Sequence, residues 1–164
     1  MVVDSLHPLG RNVKWHLGPS TRPTDLARRL ADAGFLPSEL DAPGMALPLA
    51  AVLRPTEPEG LEVQAARDEA DLLDWLDAFD RSFVGEPQGR SHPWFTPFAH
   101  LGLDREGPCR LFVGRVDGRA VACSLAFVGG GAVGLYGVGT VPESRGRGYG
   151  SAVTLAGMDW GREQ

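Results

Sequence analysis

From Leu61 onward the apolar positions switch repeatedly between the period of a strand and that of a helix. Leu61-Glu62-Val63-Gln64-Ala65 alternates residue by residue, which predicts a half-buried strand. Asp68 then suits a helix N-cap, and Leu72, Leu76, Phe79 and Phe83 recur at helical spacing behind it as one inner face. A loop from Gly85 to Pro97 follows, and the stretch from Trp94 to Leu103 includes a short helix. Arg110 to Val116 alternates, Asp117-Gly118 supplies a tight turn, and Arg119 to Val128 returns, the strongest hairpin signal in the chain. Gly129-Gly130-Gly131 turns again into Ala132 to Val141, an uncharged, β-branched run that reads as a buried strand. Last, Tyr149, Ala152, Val153, Ala156 and Trp160 form one side of a helix.

The pattern upstream is weaker. Val13-Lys14-Trp15-His16-Leu17 has the alternation of a strand. Thr24 is placed as a helix N-cap and Asp25 in the first turn, with Leu26, Leu30 and Ala33 as the buried stripe. Gly34 fits the left-handed residue that closes such a helix. Met45 to Leu53 reads as an edge strand because of Pro48, and Arg54 to Gly60 as a linker by composition. The expected organisation is a small strand–helix–strand module over residues 1–56 and a main domain over residues 61–164.

Length and composition narrow the function. A chain of 164 residues can bury one sizeable core and at most a small second module. A net charge of -5 speaks against a nucleic-acid partner held by bulk electrostatics. Arg145-Gly-Arg-Gly-Tyr-Gly lacks the basic surroundings and repeats of an RNA-binding arginine–glycine segment. Cys109 and Cys123 match no ligand spacing and read as reduced, part-buried thiols of a cytoplasmic protein. The first residues are too acidic, and their apolar run too short, for a signal peptide. Ala120 to Pro142 carries no charge, but its glycine turn argues for strands over a membrane span, so no membrane partner is expected. Asp68, Asp71, Asp74, Asp77 and Asp80 invite a metal reading. Steps of three drift by about 60° each round a helix, so a solvated acidic face is expected and no metal site.

The candidate chemistry sits between the last strand and the last helix. A glycine loop entering a helix makes an anion site: the first-turn N–H groups lack intrahelical partners, and the helix dipole adds partial positive charge. Arg145 and Arg147 would add full charges. A Walker loop needs a lysine, and the chain's only one is Lys14. The dinucleotide fingerprint fails as well, because the sixth position counted from Gly146 is Ser151. What fits is Arg-x-x-Gly-x-Gly, as Arg145, Gly148 and Gly150, behind an apolar strand. In this motif the chain resembles the GCN5-related N-acetyltransferases, and the order of elements from Leu61 to Gln164 resembles theirs too.

The resemblance implies an α+β (α/β three-layer) fold with a mixed, mostly antiparallel sheet and flanking helices. It implies acetyl-coenzyme A as co-substrate and an N-acetyltransferase acting on a small-molecule or peptide amine. Val138, Gly139 and Thr140 match the positions that hold the acetyl group and pantetheine by their backbone. Arg145, Gly146, Arg147, Gly148, Tyr149, Gly150 and Ser151 match the pyrophosphate loop. Family members continue past this helix with further strands, so the resemblance also implies that the C-terminal strands are lacking here. A homodimer or a complementing chain would then complete the site. The alternative is a non-catalytic coenzyme A-binding or regulatory module. For the general base, Glu86 and His92 lie in the loop where the family builds its acceptor pocket, and Tyr136 lies on the fourth strand. The sequence selects none of them, and the catalytic residue stays unassigned.

Overall fold

The computed structural model describes residues 14–37 and 44–164, which form two compact units, Met1–Ala46 and Leu47–Gln164. In the first unit, helix α1 (Leu26–Asp32) has Asp25 at its N-cap position, one residue later than expected. The Asp25 carboxylate caps no backbone N–H; it is taken by Arg28 and Arg29 at 2.8 and 2.9 Å. Of the expected stripe only Leu30 is buried, while Leu26 is half-buried and Ala33 exposed. Gly34 does close the helix, at φ +87, with Phe35 N–H donating to Leu30 O and Gly34 N–H to Ala31 O. These two bonds are a Schellman motif. Residues 14–17 form no strand; Trp15 lies edge-on to Phe35 with 6.4 Å between ring centroids. Val13 lies outside the described residues.

The second unit begins differently from its sequence reading. The expected strand from Met45 to Leu53 is absent, and a single 3-10 turn, Leu49–Ala51, follows Pro48. Pro48 has no N–H for a ladder. Arg54 pairs with Asp159, and Arg162 donates to Leu49 O, so this segment packs within the second unit.

Four strands then form one antiparallel sheet in chain order: β1 (Leu61–Ala65), β2 (Cys109–Val116), β3 (Arg119–Gly129) and β4 (Ala132–Thr140). The β2–β3 turn is Asp117-Gly118 and the β3–β4 turn Gly130-Gly131. All four residues have positive φ, as two-residue type I′ connections require. Ala120 to Pro142 is therefore β3, a turn and β4, and no described helix is long and apolar enough to cross a membrane.

Helices cover both faces of the sheet. On one, α2 (Glu69–Phe83) and the short α3 (Phe95–Leu101) pack Leu72, Trp75, Leu76 and Phe98 over Leu111, Val113 and Cys123. On the other, α4 (Tyr149–Glu163) packs Tyr149 and Val153 against Ala122 and Val141. Asp68 caps α2 as expected, accepting from Asp71 N–H at 3.0 Å. The inner face is broader than the predicted one: Trp75 is 1% exposed, whereas Phe83 is 57% exposed. The aspartates of α2 do not form the solvated face expected of them, since Asp71 and Asp80 are buried. Asp71 takes bonds from Arg67 and from Arg115 of β2, at 3.0 and 2.8 Å. Among the described residues no group of three His, Cys, Asp or Glu is placed to hold a metal ion.

Candidate functional site

The site grows from an irregularity in β4. Cys123 pairs with Gly139 and Leu125 with Tyr136, so two residues of β4, Gly137 and Val138, oppose Ser124 alone. That is a β-bulge, and Gly137 supports it at φ +55. The carbonyl of Ser124, opposite the bulge, accepts from Trp75 Nε1 at 2.8 Å, and its hydroxyl donates to Val153 O at 2.8 Å. One residue of β3 thereby ties α2 to α4 through the sheet. Gly139 is buried under the last turn of α2: a Cβ there would lie 2.8 Å from Ser82 Cβ and 2.9 Å from Phe83 Cε2.

Beyond Thr140 the chain makes a 3-10 turn, Pro142–Ser144, and then the glycine loop. Gly146 and Gly148 have φ of +77 and +82, and Gly148 occupies the N-cap position of α4. A Cβ on Gly150 would come within 3.2 Å of Thr140 Oγ1, so this glycine lets the helix start close beside the end of β4. No side chain caps the first turn of α4. Its N–H groups are thus open to an anion, in a chain segment whose left-handed glycines curl the backbone inward. Arg147 is exposed and forms, with Gly148 and Ser151, one end of a cleft of about 320 Å³. The cleft runs between residues 54–58 and α4, over an apolar floor that includes Leu61, Val63 and Leu155.

Several side chains take places that their motif does not foretell. Tyr149 is buried in the core beneath the loop, so it offers the site its backbone and not its ring. Arg145 reaches two backbone carbonyls. It turns back, with Nε donating to Thr140 O at 3.1 Å and Nη2 to Ser82 O at 3.2 Å. Glu143 pairs with Arg81 of α2, and backbone hydrogen bonding together with that guanidinium holds its carboxyl below the usual range. His92 is buried: Nδ1 accepts from Trp94 N–H at 3.0 Å, and Nε2 lies 3.2 Å from Asp80 Oδ1 without a hydrogen bond between them. Asp80 Oδ2 also accepts from Gln88 N–H at 2.7 Å. The Nδ1 lone pair of His92 is thereby taken by a backbone N–H of its own loop. Glu86 and Tyr136 are exposed. The cysteines are buried thiols, and burial pushes Cys123 up to about 12.

A bulged antiparallel strand thus leads through a glycine loop into a helix whose first turn no side chain caps. The profile of the acetyltransferase (GNAT) domain matches residues 53–164, and the chain belongs to that family. A mycothiol acetyltransferase of Clavibacter michiganensis subsp. michiganensis is 34% identical over 114 residues, covering 62% of this chain and 33% of the relative. Among solved structures, a GCN5-related N-acetyltransferase from Kribbella flavida aligns with a TM-score of 0.52 and 17% identity, over 71% of this chain and 41% of that one. The aminoglycoside N-acetyltransferase AAC(6')-Iy in complex with CoA aligns with a TM-score of 0.51 and 19% identity, over 68% of this chain and 74% of that one. At these identities the two structures speak for the fold. The chain spans about a third of the length of the curated relative it matches.

Proposed function

We propose that the second unit binds acetyl-coenzyme A and serves transfer of its acetyl group to an amine, with coenzyme A leaving as the thiol. The observation that carries this reading is the uncapped first turn of α4 behind two left-handed glycines, next to a bulged strand. The amides of Gly146 to Ser151 would hold the pyrophosphate, with Arg147 adding charge. The backbone of Val138, Gly139 and Thr140 would lie along the pantetheine and acetyl group. The bound co-substrate supplies an activated acetyl thioester. The chain's part is to fix it and to offer N–H donors where charge develops on the carbonyl. An amine acceptor must also lose a proton, and of the residues considered for this, Glu86 and Tyr136 are open to solvent while His92 is occupied. The acetyltransferases named above support small-molecule amines as the acceptor class.

Thermal unfolding with and without acetyl-coenzyme A tests the reading. Ligand at a hundredfold its dissociation constant adds about 2.7 kcal/mol to the native state, a shift of about 5–10 °C for a chain of this size. No shift at millimolar ligand refutes it. Gly148→Asp localises the site. The left-handed φ of +82 strains any side chain there, so the variant's own unfolding midpoint is read beside its affinity, while its carboxylate occupies the anion's place. Retained affinity in this variant would move the anion elsewhere. Binding without turnover across a panel of amines would favour a coenzyme A-binding regulatory module.

A further inference from the structure

Four consecutive residues at the end of α2 together hold three parts of the site. Asp80 fastens the following loop through Gln88 N–H and His92. Arg81 reaches across to Glu143 at the start of the glycine loop, and also holds Asp77 on its own helix. Ser82 and Phe83 press on Gly139 beside the bulge. In the opposite direction, Arg145 leaves the glycine loop and donates to Ser82 O, while its Nε secures Thr140 O at the end of β4. Ser82 O belongs to the last turn of α2, where carbonyls have no intrahelical donor and carry the negative end of the dipole. A guanidinium is well matched to it.

From this geometry we infer that Arg145 is a positioning residue and not a ligand of the anion. With Arg81 and Glu143 it forms a two-way brace that sets the glycine loop against the last turn of α2. One arginine runs from helix to loop and the other from loop to helix, so neither element can shift without breaking a bond rooted in the other. Because Asp80 in the same turn holds the 85–92 loop, the brace sets the glycine loop and the loop on the acceptor side in one frame. The acceptor-side assignment rests on the proposed function; the brace itself does not.

Hydrogen exchange on the whole chain, read by mass spectrometry for wild type, Arg145→Gln, Arg145→Lys and Glu143→Gln, tests the brace without any ligand. Losing a charged hydrogen bond should speed exchange about tenfold in residues 80–85 and 143–150 together, leaving the β2–β3 hairpin unchanged. Arg145→Lys should behave like Arg145→Gln, because one ammonium cannot serve two carbonyls in the manner of a guanidinium fork. Glu143→Gln changes an exposed side chain, so a folded protein is available even if the arginine variants are not. With acetyl-coenzyme A, both Arg145 variants should lose affinity to the same extent, although lysine keeps the charge. Unchanged exchange in residues 80–85 overturns the brace. Affinity kept by lysine and lost by glutamine overturns it too, and makes Arg145 a ligand. If wild type binds no acetyl-coenzyme A, the functional reading falls and the exchange data alone decide the brace.

Discussion

At the scale of the residue, the second unit buries several charged and polar groups, among them Asp71, Asp80, His92 and Arg115. Asp80 is fully buried; one carboxylate oxygen accepts from Gln88 N–H in a loop of the candidate site, and the other lies 3.2 Å from His92 Nε2. Asp80→Asn keeps an acceptor for Gln88 but turns an N–H toward His92 or gives up the Gln88 bond. The expected loss is about 1–3 kcal/mol, read as a lower urea midpoint at unchanged m-value. A variant as stable as wild type would mean that the pair contributes nothing. The thiols behave in the opposite sense. Burial raises both Cys109 and Cys123, the latter to about 12, so thiolate is scarce at neutral pH. Ellman's reagent should leave both untouched in the native protein and label both once guanidinium unfolds it. Rapid native labelling would show that the sheet opens at these positions.

At the scale of the element, the approach of α4 to the sheet is set by glycines that the helix pattern alone would call weak points. A Cβ on Gly161 would lie 2.5 Å from Val133 Cβ, and one on Gly157 would lie 2.7 Å from Leu135 Cδ2. Gly161→Ala gains about 1 kcal/mol in helix propensity, yet it inserts a methyl against a β-branched side chain that has no rotamer to retreat to. Overpacking of this kind costs about 1–3 kcal/mol, so the net expectation is a melting temperature lower by a few degrees, about 2–4 °C per kcal/mol. A higher melting temperature would mean that α4 can slide on β4. The same closeness brings the N-terminus of α4 beside Thr140, which puts the loop amides and the bulged backbone within one site.

At the scale of the whole molecule, the electrostatic frame is a buried cluster joining the start of α2 to β2. Burial alone would raise the carboxyl of Asp71, but hydrogen bonds from the Arg67 side chain and backbone, with the charge of Arg115, outweigh it and lower it below the ordinary 3.8. A carboxylate depressed in the folded state stabilises fully above its unfolded value and loses that contribution as pH falls through the folded one. Stability should therefore fall as the medium is acidified below about pH 4, and Asp71→Asn should flatten that part of the profile while lowering stability at neutral pH. Parallel profiles for the two proteins, measured by urea unfolding from pH 2 to 7, would assign the acid loss to other carboxylates.

How far these features could be read beforehand follows from the range of the forces behind them. The hairpin turns, the Asp68 cap, the left-handed Gly34, the four strands of the sheet and the glycine loop are legible because each is written in a few neighbouring residues: φ preference, capping chemistry or apolar period; the two expected strands upstream were not borne out. The composition of the Val138–Ser151 stretch likewise sufficed to place the loop between a strand and a helix. What the sequence could not fix is which partner a long or charged side chain finds across the fold. The carbonyl partners of Arg145, Thr140 and Ser82, belong to the end of β4 and the last turn of α2 and cannot be read from its motif. Asp71 and Asp80 read as solvated until Arg115 and His92 arrived from distant segments. Trp75 was hidden because its burial depends on a carbonyl opposite a bulge in another strand. Local conformational preference determined the elements and the loop. Contacts between residues far apart in the chain decided which side chains stay free for chemistry and which hold the frame.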